Sequence, residues 1–333
     1  MIQSYTVKLL SPTDYVKEAA SLARKATKRI YLISIVVADH PSTHELIDEL
    51  EKAAQRGVEV VVAADIFTFG VVLEDFYPGR YRSKDTRQAQ RMARALKNAG
   101  VSFQWLGKQR LTLYNGRTHS KWCVVDDTVF SFGGVNMYEK GIKNVDYMFM
   151  VKNKAIADEL VAEQKKIQDA ERHQINYPSV AHQHGDHAIL IDGGIVGHSI
   201  IYRRACELAA DAEEITFVSQ YCPTGKLGRY IKQKKSHIYF NRPDQAVGLN
   251  VIAVRGAIIM NGLKNEYKRR EYLHAKFIIF KMKDGRKVAL TGSHNFALTG
   301  VVLGTREIAL ETSDAKVVKQ LEKFIEENIV SRD

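Results

Sequence analysis

The chain has 333 residues, with 49 Lys and Arg against 38 Asp and Glu, for a formal charge of +11. A hydrophobic content of 45% and only 6 Pro exclude a disordered chain, and no run approaches the ~18 consecutive apolar residues of a membrane-spanning helix. The length suits two domains or one duplicated unit at ~100–200 residues per domain. The opening MIQSYTVKLLSPTDY lacks the basic start and apolar stretch of a signal peptide. Cys123, Cys206 and Cys222 are too few and too scattered for a disulfide framework or a zinc site. The expectation is a cytoplasmic chain whose excess positive charge suits a polyanion, either an anionic membrane surface or nucleic acid.

Residues 13–27 place Tyr15, Ala19, Leu22 and Ala23 on one helical stripe, and Arg29–Val37 is a β-rich apolar run. Pro41, Ser42 and Thr43 open a helix carrying Leu46, Ile47, Leu50 and Ala53, which Gly57 stops before a buried strand at 58–64. This strand–helix–strand crossover marks parallel pairing in an α/β sheet. Further elements are predicted as a helix over 84–99, a strand over 101–105 and a helix over 154–171. The polar, turn-rich stretch 175–188 reads as a linker. The second half repeats the plan, with helices near 198–211, 224–234 and 314–328 and strands near 215–219 and 249–254.

Each half carries a His-x-Lys on a β-rich run, then a Gly-containing turn, an Asn and an acidic residue. In the first half these are His119, Lys121, Asp126, Gly133, Gly134, Asn136 and Asp146; in the second they are His274, Lys276, Gly292, Ser293, Asn295 and Glu307. Strand alternation puts the His and Lys of each copy on one face. Pseudo-twofold symmetry would then gather two His and two Lys around one pocket. Two Lys and two Asn suit a phosphate that gains charge during displacement. One neutral His can attack phosphorus, and the other, protonated, can supply the leaving oxygen with a proton. An acid bonded to the far ring nitrogen would fix each tautomer.

These motifs resemble those of the phospholipase D superfamily, H-x-K-x4-D followed by G-[SG]-x-N and a later acid, twice per active site. The resemblance runs from about residue 13 to 330, and the GGVN turn at 133–136 is similar to that of cardiolipin synthases and related phosphatidyltransferases. It implies an α/β fold of two similar phospholipase D-like halves, each a mixed sheet flanked by helices, sharing one active site: 1–172, a linker 173–188, and 189–333. It further implies His119 as nucleophile and His274 as general acid and base, supported by Lys121, Lys276, Asn136, Asn295, Asp146 and Glu307. Asp126, Gly134 and Ser293 are supporting residues, with no metal or cofactor required. The second copy departs at Lys281, where the motif has Asp, and carries four extra residues before its Gly. Asp284 reads as a turn residue.

Other features have plainer readings. His182, His184, Asp186 and His187 imitate a metal cluster on what reads as an exposed polar linker. Cys123 reads as a packed thiol and not a nucleophile, and Ser293 as a hydrogen-bonding group in the pocket. The basic stretches 226–235 and 265–272, and the aromatic-basic stretch 67–85, suit a membrane interface or a nucleic-acid backbone. The expected partners are an anionic phospholipid surface and phospholipid substrates, with nucleic acid the alternative. The reaction class is a phosphatidyl transfer or phospholipase D-type hydrolysis, with a metal-independent nuclease, and behind it an inactive binding protein, as alternatives.

Overall fold

A computed structural model describes residues 7–66, 84–107, 116–245 and 262–330. The strand expected at 249–254 lies outside the described residues, as does nearly all of the aromatic-basic stretch 67–85.

The first half runs β1 (Val7–Leu10), α1 (Pro12–Lys25), β2 (Arg29–Ser34), α2 (His44–Gln55), β3 (Glu59–Asp65), α3 (Lys84–Asn98), β4 (Ser102–Leu106), β5 (Trp122–Val125), β6 (Thr128–Ser131), α4 (Glu139–Lys143), β7 (Met148–Lys152) and α5 (Lys154–His173). The second runs β8 (Val180–His184), β9 (His187–Gly193), α6 (Ile200–Asp211), β10 (Ala212–Val218), α7 (Gly225–Gln233), β11 (Lys235–Tyr239), β12 (Phe277–Met282), β13 (Lys287–Gly292), α8 (Leu298–Leu303), β14 (Arg306–Thr312) and α9 (Ala315–Asn328). Helix starts follow from local chemistry: Ser11, Asn153 and Ser199 each accept a backbone N–H from the first turn of α1, α5 and α6.

The strands form two sheets of seven, in the orders β1-β7-β6-β5-β2-β3-β4 and β11-β10-β12-β13-β14-β9-β8. Six strands of each correspond, so that β1-β7-β6-β5-β2-β3 is repeated as β9-β14-β13-β12-β10-β11. The senses agree as well: β2 pairs β3 and β10 pairs β11 in parallel, while β5 against β2 and β12 against β10 are antiparallel. Each sheet is therefore mixed, flanked by helices, as the duplicated motif implied.

The polar stretch read as a linker is, over 180–184, an edge strand. β8 pairs with β9 in a hairpin and adds a seventh strand to the second sheet. Its side chains alternate between half-buried and exposed along the whole strand. An edge strand with so little apolar content gives the same signal as a loop. The histidines there are engaged structurally. His184 Nε2 lies 2.9 Å from Glu159 Oε2, and His187 Nδ1 lies 2.8 Å from Thr312 Oγ1. Among the described residues no group of three or more His, Cys, Asp or Glu is placed to hold a metal ion.

One apolar core contains residues of both sheets. Tyr31, Trp122 and Phe149 of the first meet Ile191, Phe277 and Leu310 of the second, together with Leu160 of α5 and Phe324 of α9. Separate cores lie under α1, α2 and α3 in the first half and under α6 and α7 in the second. Among the described residues, no helix is long and apolar enough to cross a membrane.

Candidate active site

The motif strands meet where the two halves join. His119 and Ser120 donate their N–H groups to the Arg306 carbonyl at 2.8 and 3.0 Å, and His274 and Ala275 donate theirs to the Val145 carbonyl at 2.9 and 3.0 Å. Arg306 and Val145 each stand immediately before the acidic residue of their own motif. Each histidine and the residue after it are thus hydrogen-bonded to the residue that precedes the acid of the other half.

The side chains follow the same crossing. His119 Nδ1 lies 2.9 Å from Glu307 Oε2, and His274 Nδ1 lies 2.7 Å from Asp146 Oδ2. Each acid fixes the tautomer of the partner motif's histidine, leaving Nε2 of each ring for a substrate. Lys121 Nζ donates to the His119 carbonyl at 2.6 Å, and Lys276 Nζ donates to the His274 carbonyl. Both ammonium groups retain further protons for a bound anion.

The charges of all these groups act on one another. Burial lowers the His119 pKa against the pull of Glu307, and the charges of Lys121 and Lys276 lower it further. Burial and then Lys276 bring His274 down to about 4, against Asp146. Burial and the charge of Lys276 lower Lys121 to about 7, and burial lowers Lys276 to about 8. Burial opposes ionisation of Glu307, yet His119, His294 and Lys121 hold it down at about 2. Burial disfavours the charged forms of both lysines and both imidazoles, and an anionic phosphodiester beside them would favour those charged forms again.

The turn residues differ between halves in an instructive way. Gly133 and Gly292 must be glycine, because a Cβ would sit 1.9 Å from the Tyr147 carbonyl oxygen or 2.1 Å from that of Ile308. At the next position Gly134 donates its N–H to Asp146 Oδ1 at 3.1 Å. In its place Ser293 reaches Glu307 with its hydroxyl and accepts the Ile308 N–H at 3.0 Å. Asn136 Oδ1 accepts from Ser34 Oγ at 3.4 Å. Among the described residues, the buried Asn295 Oδ1 has no hydrogen-bond partner.

Asp126 stands apart from this pocket. It occupies the β5–β6 turn at φ +50° and accepts the backbone N–H groups of Thr27, Lys28 and Arg29. Lys281 is still inside β12, paired across the sheet with Lys287, because the second hairpin turns later. Asp284 accepts the Arg286 N–H at that turn, at 3.0 Å. The missing motif Asp therefore tracks a longer hairpin. Cys123 is fully buried and its thiol is pushed up to about 12 by burial, so it is a packing residue.

Two residues near the site carry no motif signal. Arg306, fully buried, donates to the Gly116 carbonyl at 2.8 Å, Glu171 Oε1 at 2.5 Å and the Ile175 carbonyl at 2.8 Å, pinning the approach to His119. His294 accepts the Phe296 N–H on Nδ1 at 2.8 Å, and its buried Nε2 has no partner among the described residues. The corresponding residue of the first turn is Val135, so only comparison of the two turns could have singled His294 out.

Residues 20–168 match the family model described as cardiolipin synthase, phospholipase D-like domain. A search of curated protein sequences finds no match. Among solved structures, phosphatidylserine synthase of Haemophilus influenzae Rd KW20 superposes with a TM-score of 0.71 at 16% identity, covering 97% of this chain and 86% of that one. Polyphosphate kinase of Porphyromonas gingivalis superposes with a TM-score of 0.61 at 11% identity, covering 97% of this chain and 47% of that one. At such identities the likeness is one of fold. The first half thus matches a phospholipase D-like domain, and the repeated sheet gives the second half the same phospholipase D-like fold.

Proposed function

We propose that the chain is a phosphatidyltransferase of the cardiolipin-synthase type, working through a covalent phosphohistidine, with residues 1–172 and 189–333 as the two halves of one catalytic unit. The observation that carries this reading is the pair of crossed His–carboxylate contacts, each beside a buried lysine. The preference for a phospholipid follows from the family model over residues 20–168 and from the GGVN turn.

In the first step Nε2 of His119 attacks phosphorus. The P–N bond forms as the P–O bond to the leaving alcohol breaks, and His274 gives its proton to the departing oxygen. Asp146 and the bound phosphate's own charge favour protonated His274 at that moment. In the second step His274 takes the proton of an acceptor hydroxyl, whose oxygen displaces His119. Lys121, Lys276 and Asn295 stabilise the equatorial oxygens throughout. With water as acceptor the same groups perform hydrolysis.

The test is one incubation in EDTA with mixed vesicles of phosphatidylglycerol, phosphatidylethanolamine and CDP-diacylglycerol, with glycerol and serine, beside a labelled single-stranded oligonucleotide. New phospholipid species, read by mass spectrometry and absent with His119→Ala, are the expected result. Phosphatidic acid alone would make the chain a hydrolase. A cut oligonucleotide with untouched lipid would overturn the lipid reading, and no change in either would favour an inactive binder.

A further inference from the structure

We propose that α8 and the loop between β9 and α6 form an apolar lip by which the chain docks on an anionic phospholipid surface, an inference that rests on the lipid reading above. Among the described residues the exposed large apolar side chains are Ile175, Val196, Leu298, Val302 and Val330. Three of these come together. Leu298 and Val302 stand one turn apart on α8, on the same side of the helix. Val196 lies against the end of that helix: the Gly197 N–H bonds the Val301 carbonyl at 2.9 Å, and the Val196 Cα would be 3.1 Å from a Cβ on Gly304.

The lip adjoins positive charge. Leu298 donates its N–H to Thr224 Oγ1 at 2.9 Å, so α8 begins beside the start of α7. Lys226, Arg229 and Lys232 are exposed on α7 at three-residue spacing, and residues 222–235 contain no Asp or Glu. Glu207 on neighbouring α6 is engaged by Arg204 at 3.1 Å. Apolar side chains beside a cationic stripe match the boundary between acyl chains and anionic headgroups. A second copy docking by twofold symmetry would bring the same positive stripes toward each other, which disfavours that occupant.

The lip is also tied by a backbone hydrogen bond to the chain leading into His119. α8 falls between Asn295 and Glu307 in the chain, and the Gly304 carbonyl accepts the N–H of Gly116, three residues before His119. Docking there would bring a headgroup phosphate to the histidine with the more accessible ring, His119 at 17% against His274 at 7%.

The experiment is co-sedimentation with vesicles of phosphatidylcholine alone or mixed with phosphatidylglycerol. It compares wild type with Leu298→Ser/Val302→Ser and with Lys226→Gln/Arg229→Gln/Lys232→Gln. Wild type should bind the anionic vesicles, and the serine pair should lose about tenfold in partitioning. The glutamine triple variant should lose the preference for phosphatidylglycerol and its salt dependence. Hydrolysis of a soluble phosphodiester, bis(p-nitrophenyl) phosphate, should be unchanged in both variants. Equal partitioning of wild type and the serine pair, or no wild-type binding to anionic vesicles, would overturn the docking surface. So would a wild-type dimer that the serine pair converts to monomer, since the lip would then join two copies. Vesicle binding without lipid turnover would instead sink the lipid-enzyme reading and leave the docking surface standing.

Discussion

His119 and Glu307 lie 188 positions apart in the chain, and their side chains meet at 2.9 Å between Nδ1 and Oε2. The reciprocal pair, His274 and Asp146, meets at 2.7 Å. Neither motif is complete alone, because each histidine takes its orienting acid from the other half.

The crossing predicts how the acids divide their roles. Glu307→Gln should impair His119, and Asp146→Asn should impair His274, each lowering turnover by about 10²–10⁴-fold. With a p-nitrophenyl phosphodiester, whose leaving group needs no protonation, Asp146→Asn should still form the covalent intermediate in a rapid burst while Glu307→Gln should not. Quench-flow measurement of p-nitrophenol release separates the two, and the opposite assignment would exchange the roles of the histidines.

The buried lysines set a pH dependence. Their folded-state values, about 7 for Lys121 and about 8 for Lys276, lie below the ordinary 10.5. As pH falls from 10.5 through those values, the unfolded chain takes up protons that the folded chain does not. The lysines therefore cost stability, and the cost is complete once the pH is below both folded-state values. Lys121→Met should accordingly melt no lower than wild type at pH 7, with any gain vanishing toward pH 10, while turnover falls at least ~10²-fold. Thermal denaturation across that range checks the sign.

The same depression predicts proton uptake on anion binding. A sulfate ion beside both ammonium groups raises their pKa values, so binding at pH 8 should take up on the order of one proton. Calorimetry in buffers of different ionisation enthalpy measures this, and proton release would contradict the pocket's charge state.

The turn residues make a third contrast. Ser293→Ala leaves the buried Ile308 N–H without its acceptor and should cost about 1–3 kcal/mol of stability, with turnover reduced as Glu307 loses a donor. Gly134→Ala would place a Cβ within 2.7–2.9 Å of the Asp146 carboxylate and 2.8 Å from the His274 carbonyl oxygen. Overpacking there should cost about 1–3 kcal/mol and displace His274. Denaturant melts and steady-state kinetics on the two variants are the check.

Asp126 and Lys281 should behave unlike the pocket residues although they share a motif position. Asp126→Ala removes the acceptor of three backbone N–H groups and should lower stability by about 1–3 kcal/mol while the folded enzyme keeps its turnover number. Lys281→Asp should change kcat little, since its side chain is 43% exposed and its ion-pair partner is Glu213 at 3.8 Å. Kinetics corrected for folded fraction decide both.

Much of this was legible in the sequence because the local signals are strong. The buried run of β2, the helix opened by Pro41, Ser42 and Thr43 and stopped by Gly57, and the repeated His-x-Lys all arise from neighbouring residues. The stretch over 180–184 was misread because an edge strand of alternating polarity lacks the apolar run that marks a strand. The crossed acids were not legible either, since spacing within one motif carries no information about which half supplies the partner. Arg306 was hidden for a related reason. A charged residue in a strand pattern reads as surface, and its burial depends on Glu171 and the Ile175 carbonyl, which come from the other half and the chain just beyond it.

The most direct test is to trap the intermediate. Wild type and His274→Ala are mixed with a p-nitrophenyl phosphodiester, quenched within one turnover and mapped by mass spectrometry. A phosphoryl-ester adduct on His119, accumulating in His274→Ala and absent from His119→Ala, is the predicted result. An adduct on His274, or turnover with no adduct on either histidine, would contradict the account.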